Sequence, residues 1–409
     1  MLKTGARCLE TYLAVRFDQE KAPLCGDNHL PVAMRSSGKR SKTIRTILGE
    51  VRLRRTRYVC PICAKVRRPA DEKLGVEKTA FSPGVRRMAA RAGAWAPFAQ
   101  AAGDLGLYAG LRLDAKDVER AAERTGRQAH EWSQAEGARA IGLAGCGAAL
   151  VDEPAETFYA SFDGTGTPMR REELEGVKGK GPDGRAHTKE VKLGCVFTQT
   201  ALDEKGRPVR DPNSTTYVGA IENSTDFGHR IHAEAVRRGM RQALRVVAIT
   251  DGAAYNKTII QEHFPDAIHI LDLYHAREHL ADFVREPCRS PLEGPLHQEC
   301  RALLDAGDLP ALLAKMGQAL PRNGPRRTEG RKQIAYFRDR AHIMRYAEFR
   351  AMGLFVGSGV IEAGCRTVVG QRLKHSGMFW TVAGANAIIA LRCCILSGRF
   401  EQFWEDQTA

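Results

Sequence analysis

Two short apolar runs, FYASF and VVAIT, each end in an aspartate followed by glycine, at Asp163-Gly164 and Asp251-Gly252. Runs of this length, rich in β-branched and aromatic residues, read as buried strands. A carboxylate at the end of such a strand costs roughly several kcal/mol to bury unless it is paired or coordinated. No basic residue stands beside either acid in sequence. Two such strand ends brought side by side would repel unless a cation lay between them, and the glycines let other groups approach the backbone closely.

The surrounding pattern is α/β. TFYASFDGTG reads as a strand ending at Asp163, and KEVKLGCVFTQTALD and STTYVGAI read as two more. Residues 226–242 read as a helix, RVVAITDGA as a buried strand ending at Asp251, NKTIIQEHF as a helix and AIHILDLYH as another buried strand. Three antiparallel strands, then helix, strand, helix and strand, is the order of an RNase H-like core. A third acid, Glu362, follows GSGVI, where glycines and Ser358 lead into a helix that aims it at the strand ends. Three carboxylates so placed suit two Mg²⁺ (or Mn²⁺) ions about 3.5 to 4 Å apart, one activating a water or 3′-hydroxyl and one stabilising a leaving oxygen. The α/β region is expected over 155–279 and 354–409. Between its parts, residues 280–353 read as an all-helical insertion broken by Pro287, Pro291, Pro295, Pro310, Pro321 and Pro325.

The first 75 residues alternate short β-like runs with basic turns, with Ile44, Thr46 and Leu48, then Val51 and Leu53, on alternate positions. The chain carries a net charge of +14, and it is clustered. Twelve bases (Arg35, Lys39, Arg40, Lys42, Arg45, Arg52, Arg54, Arg55, Arg57, Lys65, Arg67 and Arg68) stand against one acid, Glu50, between Arg35 and Arg68. A solvated strand face is the plain alternative, but so lopsided a segment favours phosphate binding by counterion release. Residues 76–145 turn helical, and FAQAAGDLGLYAGLRLDAKDVERAAERTG has helix-turn-helix spacing around a turn at 110–114. An ordinary αα-hairpin has the same pattern, and only the basic neighbourhood favours DNA. The Gly/Ala-rich stretch AIGLAGCGAALVDEPAE reads as a linker or extended connection.

With 409 residues the chain is long enough for two or three domains. No run is apolar for the roughly 18 residues a membrane span needs, and the first thirty residues hold no signal-peptide core. Eleven cysteines, an odd number with Cys393 and Cys394 adjacent, read as reduced thiols of a cytoplasmic protein. Cys60-Pro-Ile-Cys63 is half of a zinc site at the tip of a hairpin, and Cys25 and His29 upstream would complete a Cys₃His set, with Cys8 as a fallback. Cys146, Cys195, Cys288, Cys300, Cys365, Cys393 and Cys394 read as core.

Taken together, FDGTG at Asp163, ITDGA at Asp251, LDLYHAREHL from Leu271 to Leu280 and GSGVIEAGCRTVVGQRLKHSGMFW from Gly357 to Trp380 resemble the DDE transposases of bacterial insertion sequences, in the Kra group. The resemblance spans nearly the whole chain. It implies that Asp163, Asp251 and Glu362 are a metal-binding catalytic triad acting on double-stranded DNA, both element ends and target, in a homo-oligomer of at least two chains and away from membranes. It also implies a zinc site with an upstream cysteine pair, from which the single Cys25 departs. Asp272-Leu-Tyr-His275 is similar to the Asp/Cys-x-x-His motif of related transposases. An acid and imidazole so spaced either orient DNA, water or one another near the metals, or His275 is buried and caps the following helix. Arg366 and Lys374 are candidates for phosphate contacts, or else lie on a solvated helix face. Two other functions fit the same pattern: an RNase H-like nuclease without strand transfer, and a catalytically silent DNA-binding regulator descended from a transposase.

Overall fold

The N-terminal region, expected to be β-rich throughout, opens on a helix, α1 (Leu2–Arg16). Ala6 and Leu13 of α1, with Phe17 just beyond it, pack against Ile44, Val51, Leu53, Ala70 and Val76. The computed structural model describes residues 2–17, 20–177, 179 and 186–408. It divides into two compact units, Met1–Gly126 and Arg127–Ala409.

In the first unit, β1 (Leu24–Cys25) and β2 (Val32–Ala33) form a small antiparallel ribbon. β3 (Arg35–Thr46) and β4 (Gly49–Val59) form a long antiparallel hairpin closed by Ile47 and Leu48, and β5 (Val66–Arg67) adds to β4. Ile44 and Thr46, then Val51 and Leu53, are the inward positions, as alternation requires. After α2 (Pro69–Lys73) the chain returns to the hairpin, where Arg45 N donates to Ala80 O at 2.7 Å and Ser82 N to Arg45 O at 3.0 Å. These bonds tie the start of α3 (Pro83–Trp95) to β3, so the helices after residue 76 share a unit with the basic hairpin. α4 (Phe98–Ala109) ends on Gly110 at φ 65°, a left-handed cap that glycine adopts freely. α5 (Ala115–Gly145) starts where Asp114 Oδ1 accepts from Asp117 N at 2.7 Å. Gly93 of α3 lets α5 come close, since a Cβ there would lie 2.9 Å from Val118 and 3.1 Å from Ala122. The division between the units falls within α5. That helix continues to Gly145, so the expected linker is irregular only from Cys146 onward.

The second unit is built on β6 (Thr157–Pro168), β7 (Thr188–Gln199), the short ribbon β8 (Ala201–Leu202) and β9 (Pro208–Val209), β10 (Thr216–Ala220), β11 (Arg245–Thr250) and β12 (Ile268–Leu271). The main sheet has the order β10-β7-β6-β11-β12, antiparallel across the first three strands and parallel across the last three. α6 (Ser224–Arg237) and α7 (Ala254–His263) cover one face, where Phe158, Ala160 and Phe162 of β6 meet Phe227, Ile231 and Ile259. Pleating turns Tyr159, Ser161 and Asp163 to the other face. Two strand limits differ from expectation. β6 does not stop at Asp163 but stays paired with β7 to Pro168, and β12 stops at Leu271, where Asp272 caps α8 (Leu273–Arg285).

The segment expected as a helical insertion holds α9 (Pro295–Ala306), α10 (Leu309–Ala319), α11 (Pro325–Asp339) and α12 (Tyr346–Ala351). Its prolines start helices as often as they break them: Pro295 and Pro325 open theirs and Pro310 lies in a first turn, where no amide donor is needed. The chain then returns through α13 (Gly359–Gly364), a π-helical turn (Cys365–Gly370), α14 (Gln371–Leu373), α15 (Val382–Leu396) and α16 (Phe400–Thr408). Among the described residues no single helix is long and apolar enough to cross a membrane.

Candidate active site and metal centre

Phe162, Thr250 and Leu271 are register partners across β6, β11 and β12. The next residue on each strand is an aspartate, so Asp163, Asp251 and Asp272 leave the parallel half of the sheet at one level. Their surroundings give them different tasks. Asp272 is nearly buried, at 4% exposure, and all its bonds are to backbone: Oδ1 accepts from Tyr274 N at 3.2 Å and Ser358 N at 2.8 Å, and Oδ2 from His275 N at 3.0 Å. It caps α8 and ties the turn before α13 to the sheet, a role reinforced by Leu273 N donating to Val356 O at 3.0 Å. The cap of α8 is thus the acid, Asp272, and not the half-buried His275.

Asp163 accepts from Gly164 N at 2.6 Å on Oδ1, and the Cys365 thiol donates to Oδ2 at 3.8 Å. Burial pushes its carboxyl above the usual range; the Gly164 amide and His275 oppose that, and the charges of Asp251 and Glu362 add to it. The three acids therefore share one electrostatic neighbourhood, with His275 inside it. Asp251 turns at Gly252, at φ 78°, and its Oδ1 accepts from Ala253 N at 3.0 Å and Asn256 Nδ2 at 2.5 Å. Glu362 lies exposed in the first turn of α13, with Oε1 accepting from Ser358 Oγ at 2.6 Å.

Cations border this neighbourhood. Lys374 Nζ donates to Thr165 Oγ1 at 2.6 Å, two residues past Asp163, and Arg366 is exposed on the π-turn after Glu362. Arg340, at the end of α11, donates to Gly252 O at 3.3 Å while stacking 4.2 Å over the Tyr336 ring. Sequence reasoning missed Arg340, Asn256 and Cys365. Neither Arg340 nor Asn256 belongs to a motif, and Cys365, expected in the core, is only half-buried. Cys146, also expected in the core, is exposed.

The second site lies in the first unit. Cys25, His29, Cys60 and Cys63 bring one ligand atom each within 4.8 Å of one another and are fit to hold a metal ion. Among the described residues they are the one His, Cys, Asp or Glu group so tightly drawn; the three acids are not. Cys25 Sγ and Cys63 Sγ stand 3.7 Å apart, and Cys60 Sγ lies 3.4 Å from His29 Nε2. His29 Nδ1 is bound to Leu30 O at 2.8 Å, which leaves Nε2 as the nitrogen open to a metal ion. Both ligand turns contain a non-glycine residue in the left-handed region, Asn28 at φ 56° and Ala64 at φ 57°. Burial opposes ionisation of Cys60, but the amides of Cys63 and Ile62 and the neighbouring thiols outweigh it and bring the thiol down to about 6, into thiolate range. Cys8 is exposed on α1, outside this group.

Of the basic residues expected to face DNA, Arg35, Arg40, Arg45, Arg52 and Arg54 are exposed, whereas Lys39 and Arg57 are half-buried. Arg45 is engaged with Glu50 at 3.7 Å and Asp117 at 3.8 Å, and Arg57 donates to Ser37 Oγ at 2.8 Å. Arg55 and Lys42 are corrections. Arg55 is 9% exposed and donates to Asp71 Oδ1 at 2.7 Å and Arg40 O at 3.0 Å; Lys42 Nζ lies 3.6 Å from Asp71 Oδ2 and donates to Val76 O. Both point inward because Asp71 of α2 is buried beneath the hairpin and needs cationic partners.

No family model matches the chain, and no curated protein matches it. Among solved structures, the Drosophila P element transposase strand transfer complex is similar at 10% sequence identity and a TM-score of 0.22, over 63% of this chain and 68% of that one, a likeness too slight to assign fold or function.

Proposed function

We propose that the chain is a DNA transposase of the acid-triad type, built on an RNase H-like core and akin to the DDE transposases of bacterial insertion sequences. One observation carries this reading: Asp163 and Asp251 follow register partners on adjacent parallel strands, and Glu362 reaches the same charge neighbourhood from α13. Like charges gathered in this way suit a hard divalent cation. The strand order, with three antiparallel and two parallel strands, supports the RNase H-like assignment.

In this reading Asp163, Asp251 and Glu362 would hold two Mg²⁺ or Mn²⁺ ions, which supply Lewis-acid activation of the attacking and leaving oxygens. Lys374 and Arg366 would bind phosphate oxygens beside them. Cys25, His29, Cys60 and Cys63 would hold a structural Zn²⁺ that fixes one end of the hairpin, whose exposed Arg35, Arg40, Arg52 and Arg54 would bind double-stranded DNA through its backbone. Helices α4 and α5 would serve as the helix-turn-helix, and two or more chains would assemble on the element ends.

The test is to incubate the protein and Mg²⁺ with labelled duplexes taken from the DNA that flanks its coding sequence, together with target plasmid. Nicks at defined ends followed by joined products support the proposal. Nicking without joining would favour the nuclease, and tight binding without nicking the silent regulator.

A further inference from the structure

Each candidate metal-binding carboxylate has a neighbouring side chain that donates to it. Asn256 Nδ2 donates to Asp251 Oδ1 at 2.5 Å, Ser358 Oγ to Glu362 Oε1 at 2.6 Å, and the Cys365 thiol to Asp163 Oδ2 at 3.8 Å. Asn256 is wholly buried, at 0% exposure, and Ser358 is 8% exposed. Ser358 is itself fixed, because its N–H donates to Asp272 Oδ1 at 2.8 Å. Among the described residues, Asp251 Oδ2 and Glu362 Oε2 carry no hydrogen bond. In Asp251 and in Glu362 one oxygen is thus pinned and the other left free, whereas both oxygens of Asp163 accept a bond.

Resting on the acid-triad reading, we infer that Asn256 and Ser358 are positioning residues that set the orientation in which Asp251 and Glu362 present their free oxygens to a divalent cation, with Cys365 a weaker third donor to Asp163. The physical reason is general: a carboxylate held by an outer donor need not be ordered when the ion binds, and loss of such a donor typically weakens metal affinity by about 10- to 100-fold. A buried amide is costly to keep, and its other end, Asn256 Oδ1, has no hydrogen-bond partner. The contact with Asp251 accounts for its place on α7.

The experiment is Mn²⁺ titration of the zinc-loaded chain, with free Mn²⁺ read by electron paramagnetic resonance and melting temperature recorded beside it. Asp163→Asn, as a control for the acid-triad reading, should abolish the tighter Mn²⁺ sites. Ser358→Ala and Asn256→Ser should weaken them by roughly tenfold with little change in melting temperature, while Ser358→Thr, which keeps the hydroxyl, should bind within about twofold of the unaltered chain. If Asp163→Asn abolishes binding but Ser358→Ala and Asn256→Ser bind as the unaltered chain does, the inference is overturned and the acid-triad reading stands. Mn²⁺ binding that ignores Asp163→Asn overturns both. Should Asn256→Ser fail to fold, the Ser358→Ala and Ser358→Thr pair decides alone.

Discussion

Arg392 reaches from α15 to the π-turn and donates through Nε to Val368 O at 2.8 Å, with a second bond to Thr367 O. A π-turn widens the helix and leaves carbonyls without their usual partners. Here a buried guanidinium, 1% exposed, satisfies two of them. Burial pushes its pKa down to about 10, which still leaves it charged at neutral pH. Arg392→Met keeps much of the volume and strands both carbonyls, so it should cost about 2 to 4 kcal/mol and lower the melting temperature by several degrees. A thermal melt of the variant within a degree of the unaltered protein would contradict this role.

On the hairpin, adjacent arginines should behave oppositely. Arg54 is exposed, whereas Arg55 is paired with the buried Asp71. Arg54→Ala should weaken DNA binding to all sequences and reduce the log-log salt slope by about 0.9 for each phosphate that Arg54 neutralises, with stability unchanged. Arg55→Ala leaves Asp71 with Lys42 alone and should destabilise the first unit by roughly 3 to 5 kcal/mol. Salt-dependent binding curves beside melts separate the two effects, and equal behaviour of the variants would refute the division.

How much of this was legible in the sequence follows from what each residue needs. The positions of Asp163 and Asp251 at the ends of the parallel pairing, and of Glu362 in a first helical turn, were legible because dense apolar runs and a Gly/Ser turn precede them. The order of strands and helices was legible for a similar reason, since buried strands such as VVAIT carry a dense local signal. The direction of Arg55 was not, because it depends on Asp71, sixteen residues away and across a turn. Helix α1 was missed although Ala6, Leu9 and Leu13 recur at helical spacing, because its stability comes from packing on Val51 and Leu53. Strand β6 outran its expected end because Gly164 and Gly166 lack side chains: a Cβ at either would press on Glu190 or Thr188 of β7, so the glycines keep the pairing intact. Asn256 carried no signal at all, its meaning resting on the fold of α7 against Asp251.

Acid should weaken the second unit from about pH 6.5 downward through its buried histidines. Burial, with a smaller push from His342, lowers the pKa of His269 to about 4, and burial with His263 nearby does the same for His232. An unfolded histidine takes up its proton near 6.5. The unfolded state therefore binds more protons between these values, so stability is complete above pH 6.5 and is lost as pH falls toward 4. For His269, hydrogen-bonded to Thr250 Oγ1 at 3.0 Å, the shift corresponds to roughly 3 kcal/mol. Melts at pH 7 and pH 5 should differ less for His269→Gln than for the unaltered chain, and an unchanged difference would sink the assignment.

Zinc should be present at about one ion per chain and lost on Cys60→Ser. The structure limits what its removal undoes. The turns at Cys25–His29 and Cys60–Lys65 should loosen without the ion, but the far end of the hairpin packs on α1 through Ile44, Val51 and Leu53. Hydrogen exchange after chelation should accelerate around Cys25 and Cys60 while amides near Val51 stay protected. Metal analysis finding no zinc in freshly purified protein would defeat the claim, as would uniform loss of protection across the hairpin.

The triad itself is tested by substitutions that keep shape and remove charge. Asp163→Asn, Asp251→Asn and Glu362→Gln each take away one anionic ligand, and relief of the repulsion that Asp163 feels from Asp251 and Glu362 should leave the metal-free protein as stable as before or slightly more so. DNA binding by the exposed hairpin arginines should survive. Catalysis should not, because ions held by fewer carboxylates bind weakly and align the reacting oxygens poorly; a loss of at least about 4 kcal/mol in transition-state stabilisation is at least ~10³-fold in rate. On the acid-triad reading the three acids would act as a unit, so a double substitution should be scarcely worse than a single one. Caps and turn residues would behave in the opposite way. Asp272→Asn, which disturbs the cap of α8 and the anchor of Ser358, should lower the melting temperature and reduce cleavage only in part. Nicking rates and melts measured on the four variants together decide the matter, and a stable Asp251→Asn protein that still cleaves element ends at a near-normal rate would remove the basis for the assignment.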